Sequence, residues 1–475
     1  MKPLEGIDHA LARAGFGLRP LASGRRSLRR PGVLRSVPGV VSSNESRPAF
    51  LQYLVIVTYS ALWAVTLASL PLVGRIEKPL AVLGALAIPL AASASRAVVV
   101  EPPPMVSAGL VGLLVTYVTS FLLNPPAYDG LEFVLSLSGR AVFLWVGYVL
   151  LQNRRLLSQA FWLLVTSSAA VAGFAFAVMA FNGIGIGRTA GSELENLLGP
   201  VPLRLFMNAQ TATIGAVLLL GVTATLSGRH QRRWAPAAAF MIFAAAYLSF
   251  IRREFLVTIP IVLVGLQLTA VGETARAVLV RRTVLLAVGL TAVFGWEYLR
   301  ADSVLSRRLE SEVGGIVSPV ETRVTTAFAQ VQAIIERPLV GYGAGNHARA
   351  IMPYAPVTER YLSGFNIYGW LAVEAGLPCL AFYLVLVLGV WRQAWRYRRA
   401  RGSSVEVVIV RCGPVLLLQI VLWGTFGNSW DTTLSWFVMG MILAAARLVS
   451  LGNDSRVRMP AVPPMPTRRP RSVPS

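Results

Sequence analysis

The chain has 475 residues, of which 55% are hydrophobic and only 14% are charged, and its mean hydropathy is +0.61. This composition excludes a set of soluble domains and predicts an integral membrane protein. The formal net charge of +22 would suggest nucleic-acid binding in a soluble protein, but the basic residues here are concentrated in tails and loops. Membrane topology accounts for most of that charge, so we expect membrane lipids and no nucleic acid as partners.

The chain begins with a basic segment that is predicted to be a disordered tail. Residues 1–48 combine glycine, serine and proline with Arg25, Arg26, Arg29 and Arg30. Such a segment is expected to lie against anionic lipid. The first apolar run is too long and too far from the start for a cleaved signal peptide, so we expect it to remain as an anchor. Residues 451–475 are predicted to form a second disordered tail, which is rich in proline.

Between the tails, over residues 49–450, about twelve apolar stretches have the length that a helix needs to cross roughly 30 Å of hydrocarbon. Each span must satisfy its own backbone hydrogen bonds, which favours helices here. The sequence therefore predicts an all-α membrane domain with about 12 transmembrane helices. The predicted spans are 50–73, 79–95, 105–124, 132–151, 158–181, 207–226, 235–251, 253–271, 283–299, 365–391, 404–423 and 430–450.

Basic residues cluster in alternate loops, which predicts the topology. The clusters are at 154–155, 229–233, 276–282 and 392–401. By the positive-inside rule these loops face the cytoplasm, so both termini are expected there, and the long loop 300–364, between the ninth and tenth spans, is expected outside. Arg188 and Arg204 in one outer loop, and Arg252 and Arg253 in a very short turn, oppose this bias. Arginine kept on that side indicates an anionic partner.

The outer loop is too long for a simple connection, and its sequence indicates order. Residues 322–335 place Val324, Phe328, Val331 and Ile335 at helical spacing, which predicts an amphipathic helix along the membrane surface. Gly341, Gly343 and Gly345 then precede Asn346 in a turn that begins at Pro338. Such a turn can present backbone N–H groups to a phosphate, although a plain loop bend is an equal alternative.

Cysteine and histidine contribute little to the expected chemistry. Cys379 and Cys412 fall inside predicted spans and form no Cys-x-x-Cys pair, so structural thiols are expected. His9, His230 and His347 are scattered, without partners at metal-ligand spacing. We therefore predict no metal site and no cofactor.

The surface helix, the turn PLVGYGAGN, and Asn366 followed by Gly376 at the start of a span resemble the outer loop of the O-antigen ligase and O-antigen polymerase family of bacterial envelope glycan enzymes. The family pattern has a histidine where this chain has Phe365 and a second glycine where it has Cys379. The resemblance extends over about residues 185–390. It includes an outer arginine, here Arg188, before a span that begins with Met207-Asn208-Ala209-Gln210, and an arginine at a later outer turn, here within residues 250–254.

The resemblance implies a metal-independent glycosyltransferase of the bacterial inner membrane. Such an enzyme moves a glycan from a polyprenyl diphosphate to a hydroxyl of a glycan or lipid acceptor, and other envelope glycan assembly proteins are possible partners. The leaving diphosphate gains negative charge, which bidentate guanidinium groups stabilise. Arg188 with Arg252 or Arg253 are the predicted clamp, and lipid-headgroup contact or salt bridges with Glu193 or Glu195 are the alternative for the first loop. The remaining predicted binding residues are Arg140, Arg323, Gly341, Gly343, Gly345, Asn346 and Asn366.

Phe365 cannot act as the general base that the family histidine implies. His347, Glu374 and Glu254 are the candidates, and Glu374 is one because ionisable residues inside spans are functional candidates by default. An ion pair with Arg140 is the alternative role for Glu374, and a surface-exposed position is the alternative for His347. The missing histidine favours a polymerase over a ligase. A transporter or flippase for a lipid-linked oligosaccharide remains the alternative class.

Overall fold

A computed structural model describes residues 102–124, 130–181, 209–225, 231–248, 319–355, 366–426 and 433–457, and scattered helical residues between 261 and 292. Within this part of the chain the secondary structure is helical, with turns between helices. The α-helices are α1 (Pro104–Leu123), α2 (Gly130–Leu150), α3 (Arg154–Phe181), α4 (Ala209–Thr225), α5 (Gln231–Leu248), α6 (Pro319–Glu336), α7 (His347–Ile351), α8 (Ile367–Tyr397), α9 (Val405–Phe426) and α10 (Thr433–Val457).

Five of these helices are long and apolar enough to cross a membrane, namely α1, α2, α8, α9 and α10. Helices α3, α4 and α5 coincide with three further predicted spans. The predicted spans 50–73 and 79–95 lie outside the described residues, and 253–271 and 283–299 are described only at isolated positions. Helix α10 ends at Val457, which is past the predicted end of the membrane domain at residue 450.

Helices α1 and α8 form a closely packed antiparallel pair. A Cβ atom placed on Gly109 would lie 2.5 Å from the backbone nitrogen of Leu386, and Gly112 faces the ring of Phe382 in the same way. Small residues at this spacing let two helix backbones approach, which is how helices associate in lipid without a hydrophobic driving force between them. The C-terminal end of α1 therefore lies beside the N-terminal part of α8.

At the other end of the bundle, arginine side chains connect the start of α3, the end of α4 and the start of α9. Arg154 at the start of α3 lies 3.4 Å from the Glu406 carboxylate at the start of α9. Arg411 of α9 donates to the Ala400 carbonyl, at 2.7 Å from Nη2, and to the Thr225 hydroxyl at the end of α4. The structure thus gathers, at one end of the bundle, residues from or next to three loops that the sequence assigns to the same side. The assignment of that side to the cytoplasm stays a prediction.

Helix α6 was predicted at 322–335 and is present at 319–336, lying against α8. Its packed face carries Thr326, Ala329, Gln330 and Ala333, which are small or polar. Gly369 on α8 allows the approach, because a Cβ there would collide with the Gln330 amide. This contact positions α6 and the glycine turn that follows it over the N-terminal part of α8.

Candidate functional site

The candidate site is built around a break in α8. Gly376 has φ 81° and ψ 172°, a backbone conformation that is open almost only to glycine, and Pro378 follows two residues later. A break of this kind leaves the carbonyls of the preceding turn without donors from their own helix. Because these residues are buried among other helices, the donors must come from elsewhere in the protein.

The glycine turn supplies those donors. The Tyr342 N–H donates to the Val373 carbonyl at 2.9 Å, and the Gly343 N–H donates to the Glu374 carbonyl at 2.8 Å. In return, the Leu377 N–H beyond the break donates to the Pro338 carbonyl at 2.7 Å. The turn therefore completes the hydrogen bonding of the broken helix.

Glycine is required in the turn because the backbone is left-handed and crowded. Gly341, Gly343 and Gly345 have φ angles of 69°, 96° and 80°. A Cβ on Gly341 would lie 2.5 Å from the Glu374 carbonyl oxygen, and one on Gly343 would lie 2.8 Å from the Asn124 Cβ. These glycines, which the sequence analysis noted, are thus needed because the turn has positive φ angles and approaches other backbone segments closely.

The sequence suggests that the turn could present N–H groups to a phosphate, and five of its N–H groups have partners within the protein. Besides the two N–H groups already named, Gly341 donates to the Arg337 carbonyl at 3.1 Å and Asn346 to the Gly343 carbonyl at 3.1 Å. Gly345 donates to the Glu374 carboxylate at 3.0 Å. These five N–H groups are engaged within the protein and support a structural role for the turn, whereas phosphate binding by the turn stays a prediction.

Glu374 lies at the centre of the site with 1% of its surface exposed. The Tyr117 hydroxyl donates to one carboxylate oxygen, and the Gly345 N–H donates to the other. The Trp370 indole and the His347 backbone N–H are further hydrogen-bond partners of this carboxylate. All four of these contacts come from neutral groups, so the carboxylate acts as an acceptor that joins α1, the glycine turn and α8.

Ser120 of α1 and Asn124 contact the same region. The Ser120 hydroxyl lies 2.6 Å from both the Val340 and the Glu374 carbonyl oxygens. Asn124, directly after α1, accepts a hydrogen bond from the Arg337 guanidinium at 3.1 Å. Because Ser120 lies in the last turn of α1, the broken segment of α8 is about 5 Å from that helix end.

His347 is buried, with 5% exposure, which contradicts the surface-exposed alternative. Its Nε2 atom lies 2.9 Å from the Gln330 amide nitrogen of α6, and its ring meets Trp370 edge to face. Asn346 is also buried, and its side chain donates to the Tyr342 carbonyl at 3.0 Å. These contacts fasten α6 and the glycine turn to the first half of α8.

Asn366 caps α8. Its side-chain oxygen accepts from the Tyr368 N–H at 2.9 Å and from the Gly369 N–H at 3.4 Å, which is the geometry of an N-terminal cap. Arg140 acts electrostatically on the Tyr117 hydroxyl and therefore lies near the Glu374 cluster. The direct ion pair between Arg140 and Glu374 stays a hypothesis.

A second, exposed cluster lies at the end of α6. Glu336 accepts hydrogen bonds from the Tyr342 hydroxyl at 2.6 Å and from the Tyr354 hydroxyl. These bonds, first that from Tyr342, hold the pKa of Glu336 below its ordinary value. Burial, followed by the bond to Glu336, raises the pKa of Tyr342, and the same carboxylate raises that of Tyr354. The Arg337 guanidinium lies 4.7 Å from the centre of the Tyr342 ring.

Several predicted site residues cannot be placed. Arg188, Arg252, Arg253 and Glu254 lie outside the described residues, and for Arg323 only its position in the first turns of α6 is described. Whether the arginines meet the Glu374 cluster therefore stays a prediction. Within the described ranges, no group of three or more His, Cys, Asp or Glu residues is arranged to hold a metal ion.

The structure also brings in residues that the sequence did not indicate, namely Tyr117, Ser120, Gln330 and Trp370. Each is a single polar or aromatic residue in an apolar or surface helix, where core packing is the ordinary expectation. One signal was available, since Tyr117, Ser120 and Asn124 follow each other at helical spacing on α1 and would form a polar stripe on one face.

Comparison with known proteins adds no assignment. No protein-family model matches this chain, and no curated protein matches it at a significant level. The resemblance to the O-antigen ligase and polymerase family therefore rests on the residues quoted from the sequence.

Proposed function

We propose that this protein is a membrane glycosyltransferase that moves a glycan from a polyprenyl-diphosphate carrier to an acceptor hydroxyl, at the outer face of the bacterial inner membrane. One observation carries the proposal: an ordered polar assembly lies at one end of the bundle against the packed face of α6, and the other side of the same helix is apolar and exposed. A lipid-linked glycan has an apolar tail and a polar head, so an enzyme that binds it needs both kinds of surface next to each other.

The reaction breaks the bond between the anomeric carbon of the glycan and a diphosphate oxygen. A new bond forms between that carbon and the acceptor oxygen, and the acceptor proton passes to a base. The bonding electrons leave with the polyprenyl diphosphate. Arg188 with Arg252 or Arg253 are the proposed stabilisers of that charge, because arginine on the outer side opposes the topological bias.

Glu374 is the candidate least suited to be the base. Four donors enclose its carboxylate, and removing any of them would leave a buried polar group without a partner. We therefore propose that Glu374 positions the glycine turn and that the base is another group, with His347 and Glu254 as the remaining candidates. Polymerase activity is preferred to ligase activity because Phe365 replaces the family histidine.

A transporter or flippase is the second candidate, and the broken helix α8 is the observation in its favour, because transporters bind substrates at broken helices. Those breaks lie near the middle of the membrane, whereas the break at Gly376 faces the last turn of α1. The position near a helix end supports chemistry at the surface.

The test is glycan extension by the purified full chain in liposomes supplied with a polyprenyl-diphosphate-linked oligosaccharide. We expect longer glycans together with released polyprenyl diphosphate. Arg252→Glu and Arg253→Glu are expected to lower the rate roughly a hundred-fold or more, the usual effect of removing a stabiliser of developing charge. Arg401→Glu, at an exposed position after α8, is the matched control and should retain activity. Movement of the lipid-linked oligosaccharide across the bilayer, without a new glycosidic bond, would instead identify a flippase.

A further inference from the structure

Helix α6 has an unusual distribution of side chains. Its buried face is formed by the small and polar residues Thr326, Ala329, Gln330 and Ala333. Its large apolar residues are exposed, with 68% exposure for Phe328 and 66% for Ile335. We call the exposed residues Val324, Phe328, Val331 and Ile335 the apolar stripe. With 3.6 residues per turn, the apolar stripe lies on the side of α6 opposite to its packed face.

A helix that packs its polar side inward and turns its apolar side outward is unfavourable in water, because exposed apolar area is penalised in proportion to its size. The same arrangement is favourable in lipid, where the apolar side needs no protein partner. The flank of α6 that carries Gln332 and Glu336 is exposed and polar. Helix α6 therefore has a protein side, an apolar side and a water side, which is the pattern of a helix lying in a membrane interface.

The apolar stripe is also continuous with the exposed surface of a membrane-spanning helix. After α6, Leu339 is 72% exposed, and the neighbouring Pro338 carbonyl accepts the Leu377 N–H of α8. Leu377, Leu384 and Leu388 are exposed along one face of α8. The same apolar surface thus runs from a helix with the length and composition of a membrane span to the turn beside α6.

We propose that the apolar stripe of α6, together with Leu339, is inserted into the lipid bilayer, at the boundary between headgroups and acyl chains. The occupant of this surface is lipid, not a second copy of the chain or another protein. The inference concerns a lipid contact and stands apart from the proposed transferase activity, since it depends only on the exposed face and its continuity with α8.

Single cysteine residues carrying a nitroxide spin label test this directly in nanodiscs of phosphatidylethanolamine and phosphatidylglycerol. Phe328→Cys and Ile335→Cys report on the apolar stripe, and Gln332→Cys on the polar flank of the same helix is the matched control. The unsubstituted chain, whose Cys379 and Cys412 are buried, gives the background labelling. Collision rates with oxygen, which enriches in lipid, and with a water-soluble nickel chelate are measured at each position.

We expect Phe328→Cys and Ile335→Cys to collide more with oxygen than with nickel, and Gln332→Cys to show the reverse order. Nickel access at the first two positions equal to that at residue 332 would overturn the proposal, because the stripe would then face water. Low access to both reagents would also overturn it, with dipolar broadening between labels indicating a second copy and its absence indicating another protein surface. Two stripe positions are used so that local disturbance at one of them does not decide the result.

Discussion

Helix α8 leaves carbonyl groups to be satisfied both at its break and at its C-terminal end, and it uses different donors at the two places. At the break, buried carbonyls of Val373 and Glu374 accept from the neutral backbone N–H groups of the glycine turn. At the C-terminal end, the Arg398 guanidinium donates to the Trp395 carbonyl at 2.9 Å in an exposed contact. Neutral donors avoid the cost of burying a charge, while cations at a helix C-terminus gain from its dipole. The stability of the protein is therefore expected to be sensitive to added side-chain atoms at the break. It is expected to be less sensitive to substitutions at the C-terminal end of α8.

The largest loss of stability is expected when a methyl group is added to the glycine turn beside the break. Gly341→Ala would put a Cβ 2.5 Å from the Glu374 carbonyl oxygen at a positive φ angle, so we expect a loss of stability of about 2 kcal/mol or more. Gly173→Ala is the control, because a Cβ there meets no atom within 4 Å, and it should be neutral or stabilising by about 1 kcal/mol. Thermal unfolding in detergent measures both, and equal midpoints would break the comparison.

The second effect concerns the buried carboxylate. Glu374→Gln replaces one acceptor oxygen by a donor, which opposes either the Tyr117 hydroxyl or the Gly345 N–H, and should cost about 1–3 kcal/mol. Tyr117→Phe should cost less in the Glu374→Gln background than in the unmodified chain, because the hydrogen bond between the two side chains is already weakened there. A double-variant cycle by thermal unfolding measures the coupling. Simple addition of the two losses would show that the two side chains do not act together.

The third effect is a dependence on pH at the edge of the site. The bond from Tyr342 lowers the pKa of Glu336, so the stabilisation is present above the ordinary glutamate pKa of about 4.3 and is lost as the pH falls through the lowered value. We expect the unfolding midpoint of the unmodified chain to fall more steeply in this acid range than that of Glu336→Gln. Parallel curves for the two proteins would contradict this role.

The smallest effect is expected at the end of the bundle where Arg154 contacts Glu406. In the contact between Arg154 and Glu406 the arginine is 63% exposed and the carboxylate 11%, so water screens the pair from one side and Arg154→Ala should cost about 1 kcal/mol. The difference should shrink further as salt is added, since exposed charges are screened. Unfolding at low and high ionic strength measures it. A loss as large as that of Gly341→Ala would remove the contrast between the two places.

The fold and the site differed in how far the sequence could predict them. Helix α6 and the spanning helices followed from periodicity and hydropathy, because these properties are local. The glycine positions also followed from local chemistry, but their purpose did not, since it depends on a break in α8 that meets the turn in space. The sequence does place Tyr117 and Ser120 on one polar stripe of α1, but it does not identify their partners, because these lie far away in the chain.

The long sequence separation between Tyr117 and Glu374 has a consequence for folding during synthesis. The two residues are 257 positions apart, and chains grow at about 5–20 residues per second, so roughly 10 to 50 s pass between their synthesis. During this interval α1 carries polar hydroxyls whose final acceptors do not yet exist. Until the glycine turn and α8 arrive, water, the insertion machinery or, for Ser120, a carbonyl of the preceding helical turn can accept from them. The site can therefore be completed only after Glu374 has been made, long after Tyr117.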